Sequence, residues 1–183
     1  MSESAKPPAL HSSGLNLVPY ATEHDAQTIA WLNDPEMRRD FGLARPITLD
    51  AHRAWLAANP DTLIWAITQA GEHFGNVLLQ PTPRRRSGYL QIYLGNAAAR
   101  GKGIGWRALA RVLEFGFNEL GLHRIWLHTL PENRAAAALY AKAGFVREGV
   151  EREALPRAGG FADQYRWSLL AQEWNTRDRA AAS

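Results

Sequence analysis

Three glycines at alternate positions, Gly101, Gly103 and Gly105, stand between a strand pattern and an amphipathic helix, and they constrain the fold more than any other feature of the chain. Upstream, residues 89–94 read as a strand. Downstream, Leu109, Val112, Leu113, Gly116, Phe117 and Leu120 recur at helical spacing, with Arg107, Arg111, Glu114 and Asn118 on the opposite face. A glycine turn leading from a strand into a helix brings backbone N–H groups and the positive end of a helix dipole to one point. That is the make-up of a phosphate or pyrophosphate site. The plainer reading of the same residues is a tight turn that uses glycine for its geometry.

The letters exclude two anion loops. A Walker loop needs Ser or Thr after its lysine, whereas Lys102 is followed by Gly103. A dinucleotide fingerprint needs Gly-x-Gly-x-x-Gly, whereas Trp106 follows Gly105, and no acidic residue ends the next strand to hold a ribose.

Strand and helix patterns mix along the rest of the chain. Residues 15–19 read as a strand. Thr22 is placed to cap a helix over 23–33, with Asp25 at the third position of a capping box. Thr48 opens another helix through Ala51, Trp55 and Leu56. Residues 63–68 and 73–80 form a strand pair turning at Ala70-Gly71-Glu72. Residues 124–130, apolar on both sides, suggest a central strand covered on both faces. Residues 133–143 are alanine-rich and helical, with Gly144 as the C-terminal cap. Strands over 145–154 and 161–170 close the domain. The 183 residues suit one domain, expected over 14–174, with flexible tails at 1–13 and 175–183.

Composition narrows the chemistry. The chain has no cysteine, which excludes disulfides, thiolate metal sites and a cysteine nucleophile. No apolar run approaches the roughly 20 residues of a membrane span, and no secretion signal stands at the N-terminus, so a cytoplasmic protein that binds no membrane is expected. The formal charge of +3 is too mild for a dedicated nucleic-acid binder. The one dense basic cluster, Arg84-Arg85-Arg86, reads as a solvated turn between strands, with an anion site as the minority reading.

The segment Arg100-Gly101-Lys102-Gly103-Ile104-Gly105 resembles the Arg/Gln-x-x-Gly-x-Gly/Ala signature of the GCN5-related N-acetyltransferase (GNAT) superfamily. Downstream, His123-Arg124-Ile125-Trp126-Leu127-His128, then Pro131-Glu132-Asn133, then Ala138-Leu139-Tyr140-Ala141-Lys142-Ala143-Gly144-Phe145 resemble the family's second cofactor motif at matching spacing. Trp31 to Arg39, Pro46-Ile47-Thr48, His52 and Trp55 are similar to the branch holding ribosomal-protein N-terminal, spermidine and some amino-sugar acetyltransferases, as is the end of the chain up to Trp174. The likeness covers residues 15–174.

The resemblance implies a single α/β domain: a mixed, mostly antiparallel sheet of six to seven strands flanked by about four helices. It implies direct acetyl transfer from acetyl-CoA to a primary amine, without a covalent enzyme intermediate or a metal. The backbone of Ile92, Tyr93 and Leu94 would hold the pantetheine arm. The amides from Arg100 through Gly101, Lys102, Gly103, Ile104 and Gly105 would hold the pyrophosphate, with Arg100 and Lys102 adding charge and Arg107 as a further candidate. Asn133 would bond the arm, and Tyr140 would protonate the departing thiolate.

The carboxylate base of many relatives is missing, because Tyr89, Leu90 and Gln91 open the strand. Proton removal through water, or by a base elsewhere, takes its place. His128 is a candidate, although a satisfied core histidine is the commoner fate of such a residue. Glu36, His52, Trp31 and Trp55 are candidate groups on the acceptor side. The acceptor is a small amine or a protein N-terminus, and the chain a monomer or homodimer. Two alternatives stand: an amino-sugar nucleotide or aminoglycoside acceptor, and a sensor that binds acetyl-CoA without catalysis.

Overall fold

The computed structural model describes residues 6–181 apart from 13 and 158. Among the described residues eight strands form one sheet: β1 (Leu10–Ser12), β2 (Leu15–Pro19), β3 (Leu63–Gln69), β4 (Glu72–Thr82), β5 (Ser87–Leu94), β6 (Arg124–Thr129), β7 (Val146–Arg157) and β8 (Gly160–Leu170). Their order is β1-β2-β3-β4-β5-β6-β8-β7. The helices are α1 (Asp25–Leu32), α2 (Pro35–Asp40), α3 (Leu49–Ala58), α4 (Ile104–Glu114), α5 (Arg134–Ala143) and α6 (Ala171–Ala181). This is the expected class, with one strand and two helices more than expected.

Neighbouring strands run antiparallel except β5 and β6, which are parallel because α4 carries the chain back across the sheet between them. The amphipathic stripe of α4 meets one sheet face: Ala108, Leu109, Val112 and Leu113 pack among Leu79, Leu90, Ile125 and Leu127, all buried. Gly116 permits this approach, since a Cβ there would stand 2.8 Å from Ile125 Cδ1. A π-helical turn over Phe115–Glu119 follows, with Leu120 N–H donating to Phe115 O. Its wider turn shifts the helical phase, so Leu120, expected on the apolar stripe, is exposed. The β3–β4 hairpin turns where expected, through Ala70 (φ 51°) and Gly71 (φ 81°), the two left-handed residues of a tight hairpin.

Several local expectations are corrected. Leu10, assigned to a tail, is buried and pairs with Leu17 across β1 and β2. At the other end, residues 171–181 form α6, and the buried Trp174 packs 6.4 Å from Phe117. Residues 1–5, 13 and 182–183 of the expected tails lie outside the described residues. Thr22 does not cap α1. It opens a 3-10 turn whose cap is Ala21, and Ala21 N–H donates to His24 Nδ1. Asp25 is instead buried beneath Tyr20, His52 and Arg53, so its carboxylate serves tertiary contacts and no cap. Helix α2 was not expected. Asp34 caps it by accepting from Glu36 N and Met37 N, with Pro35 at the first position, and its six residues are too short for a periodic signal. Strand β6 is covered on one face only: Ile125, Leu127 and Thr129 are buried, while Trp126 and His128 are half-buried on the other face.

Candidate active site

Strands β5 and β6 pair at three positions only, Ser87↔Arg124, Gly88↔Ile125 and Tyr89↔Trp126. On its other side β5 stays paired to β4 as far as Leu94↔Gly75. From Leu90 onward, therefore, one edge of β5 has no strand partner among the described residues and faces a wedge. The wedge opens into a cavity of about 900 Å³ lined by β5, β6, the glycine loop, α2 and α5.

The glycine loop closes one end of this cavity. Asn96 Oδ1 accepts from Ala98 N, starting a single 3-10 turn over Ala97–Ala99. Gly101 (φ 75°) and Gly103 (φ 73°) are both left-handed, and Gly103 is the N-cap of α4. A Cβ at either position would meet no heavy atom within 4 Å, so both glycines face open space. The first amides of α4 have no partner within the helix, and Gly103, Ile104, Gly105 and Trp106 line the cavity. The Ile104 side chain is buried in the core, which leaves its backbone to the cleft. Lys102 is exposed, and neither it nor Arg107 lines the cavity.

Helix α2 lies across the mouth. Glu36 is 3.5 Å from the Arg100 guanidinium, and Asp40 Oδ2 accepts from Asn133 Nδ2 at 3.5 Å. Asn133 also caps α5 through Oδ1, accepting from Ala136 N. Phe41 packs edge-on against Tyr93, whose hydroxyl accepts from Asn76 Nδ2 at 2.7 Å. Burial pushes the Tyr93 phenol up to about 12.

Tyr140 lines the cavity from α5, with its ring 5.7 Å from Phe145. Burial, with Tyr89 adding to it, raises the Tyr140 phenol well above its ordinary value, so its proton is retained at any working pH. Opposite, His128 Nε2 lies 2.9 Å from Glu151 Oε2. Glu151 also accepts from Arg166 at 2.8 Å and from Gln164 at 2.8 Å. Burial lowers the His128 pKa, and the Glu151 charge opposes this.

Residues 15–146 match the family model described as the acetyltransferase (GNAT) domain. The chain belongs to this family. It is 35% identical over 92 residues to spermidine N(1)-acetyltransferase of Vibrio cholerae serotype O1, a match covering 50% of this chain and 53% of that one. The chain thus spans about half the length of the first curated relatives that it matches. Its fold is similar to that of spermidine N-acetyltransferase from Vibrio cholerae in complex with CoA and spermine, with a TM-score of 0.82 at 24% identity over 90% of this chain and 99% of that one. Mycobacterium smegmatis RimJ in complex with CoA-disulfide matches with a TM-score of 0.75 at 22% identity over 96% of this chain and 93% of that one.

In this GNAT domain the side chains singled out on the acceptor side divide. Glu36 and His128 line the cleft. Trp31 does not: it packs on His73 and borders a separate cavity of about 800 Å³ with Glu23, His24 and Glu72. His52 is buried in α3, 3.0 Å from the Tyr20 hydroxyl and 3.5 Å from Asp25, and burial lowers its pKa. Trp55 is 44% exposed and lies outside the cleft. Sequence reasoning missed Asp40, Phe41, Gln91, Glu151 and Gln164, which line the cleft or hold its histidine. For Gln91 the strand period carried the signal, since it shares a face with Tyr89 and Tyr93. For Glu151 no local pattern did. The Arg84–Arg86 cluster sits at the start of β5, with Arg86 donating to Gly121 O. The 8 residues of β5, about 26 Å at the usual rise, separate it from the glycine-loop end.

Proposed function

We propose that the protein is an N-acetyltransferase that moves an acetyl group from acetyl-CoA directly to a primary amine, with both substrates bound together. The observation that carries this reading is the wedge between β5 and β6, which adjoins a glycine loop with two left-handed residues and the buried Tyr140. The residues suit such a cosubstrate. An unpartnered strand edge over Ile92, Tyr93 and Leu94 matches the amides of a pantetheine arm. The loop from Arg100 to Gly105 has room for a pyrophosphate where any side chain would intrude.

Acetyl-CoA supplies the thioester whose acyl carbon the amine attacks. The chain supplies the rest. The β5 edge orients the arm and the acyl group. The glycine-loop amides and Arg100 hold the phosphates, which requires the Glu36 carboxylate, 3.5 Å from Arg100, to share or yield that guanidinium. The Asn133 amide donates to the arm, since its present contact with Asp40, at 3.5 Å, is a long one. The Tyr140 hydroxyl donates to the leaving sulfur. Its raised pKa makes it a hydrogen-bond donor at rest and a proton donor as charge builds on sulfur.

On the acceptor side the cleft carboxylates are already paired, Glu36 and Asp40 with Arg39 and Glu132 with Arg157, and Glu151, behind His128, is paired with Arg166. A small amine or a peptide N-terminus with an apolar flank suits a wall of Phe41, Tyr89 and Tyr93 better than a polycation would. The Arg84–Arg86 cluster is too remote to serve an anionic nucleotide acceptor. The test is thiol release from acetyl-CoA over a panel of amines, peptides, polyamines and amino sugars, with calorimetry of acetyl-CoA alone. Binding without release for any acceptor would replace the enzyme by a sensor. Absence of binding would remove both.

A further inference from the structure

We propose that His128, held in place by Glu151, is the group that takes the proton from the attacking amine. This rests on the acetyl-transfer reading above and adds the base that strand β5 lacks. Five elements bring the parts together. His128 projects from β6 on the same sheet face as Tyr89 of β5, their rings 5.8 Å apart, and both line the cleft that Tyr140 borders from α5. Glu151 reaches His128 from β7, at 2.9 Å. Arg166 and Gln164 of β8 fix the Glu151 carboxylate at 2.8 Å each, and Arg166 also stacks 4.2 Å over the Trp126 ring.

This cluster of charges biases both the tautomer and the charge of the imidazole. The Glu151 carboxylate, 2.9 Å from the buried Nε2, lies outside hydrogen-bond geometry, but its charge favours the neutral ring's proton on that nitrogen and so leaves Nδ1 as the acceptor. Among the described residues neither ring nitrogen has a hydrogen-bond partner, and of the two only Nε2 is fully buried. Arg166 balances the charge of Glu151, so the carboxylate orients the ring without holding it permanently protonated. The charged and titratable groups facing His128 are Tyr89, Glu151 and Arg166, and the balance of burial against Glu151 leaves the ring neutral at pH 7. Glu151 is therefore a positioning residue.

The step balances without a further reagent. As the C–N bond forms and the C–S bond breaks, the amine proton passes to His128 Nδ1 and the Tyr140 proton passes to sulfur. The imidazolium proton then returns through solvent to the Tyr140 phenolate, leaving amide and thiol.

The experiment measures kcat, KM and the pH profile of thiol release for the wild type, His128→Ala, His128→Asn and Glu151→Gln, with an acceptor amine of low pKa so that its own ionisation lies outside the range. Both His128 variants are expected to lose about a hundredfold or more in kcat and to lose the acid limb set by the imidazole, with KM for acetyl-CoA unchanged. Free imidazole should restore part of the rate to His128→Ala. Glu151→Gln should keep an acid limb, moved to lower pH, at reduced kcat. A purely structural histidine would show neither the shifted limb nor the rescue. Folded variants that bind acetyl-CoA and retain kcat within about threefold, with the acid limb in place, overturn the assignment. A wild type that releases no thiol with any amine overturns the parent reading, and the base with it.

Discussion

Replacing Gly103 by valine separates the two things a left-handed glycine does at the start of α4. Gly103 has φ 73°, and a Cβ there meets nothing within 4 Å. The penalty in the free protein is therefore conformational and not a clash. An L-residue in the left-handed region costs about 1–2 kcal/mol, and a β-branched one stands at the upper end. For a domain of this size each kcal/mol moves Tm by about 2–4 °C, so the variant should melt about 2–8 °C below the wild type and remain folded. The open space is where the pyrophosphate is proposed to lie, and the two valine methyls would fill it. Acetyl-CoA at a hundredfold excess over its Kd should stabilise the wild type by about 2.7 kcal/mol, raising Tm by about 5–11 °C. The variant should show almost none of that increment at the same concentration. Thermal melts of both proteins, with and without acetyl-CoA, give all four numbers. A folded Gly103→Val protein whose melt rises with acetyl-CoA as far as the wild type's would refute the placement of the phosphate.

Three further outcomes follow from the same geometry. Tyr140→Phe keeps the ring against Phe145 and removes only the hydroxyl; turnover should fall by about a hundredfold with acetyl-CoA affinity and Tm little changed, and turnover within about threefold of wild type would remove the acid role. Gly95→Ala drives a Cβ into the Trp31 ring, so it should lower stability by about 1–3 kcal/mol in urea melts and alter the tryptophan fluorescence. The Arg124 guanidinium, bonded at 2.6 and 2.7 Å, holds Glu148 at about 2, below the usual carboxylate range. A depressed pKa contributes stability above about pH 4.5 that is lost as pH falls toward 2, so Glu148→Gln should flatten the stability curve in that window, read by urea melts at each pH.

What the sequence determined by itself was local. Gly101 and Gly103 announce left-handed backbone because few other residues adopt it, and the stripe from Leu109 to Phe117 announces a helix because its period is written in adjacent turns. Gly144 as the end of α5 is legible for the same reason, whereas Asn133, read as the first helical residue, is its cap. What only the tertiary structure decided depends on partners distant in the chain. Leu10 is an isolated apolar residue until Leu17 pairs with it. Asp25 looks like a capping residue until His52 and Arg53, on α3, close over it. The wedge exists because β5 and β6 part after Tyr89, and no pattern in either strand records where two parallel neighbours separate. His128 passes for a core histidine on β6 until the β7–β8 hairpin folds back and sets Glu151 beside it. Backbone conformation and helical period are short-range properties of the chain, whereas the meeting of an acid, an imidazole and a tyrosine from three elements is a property of the sheet that aligns them.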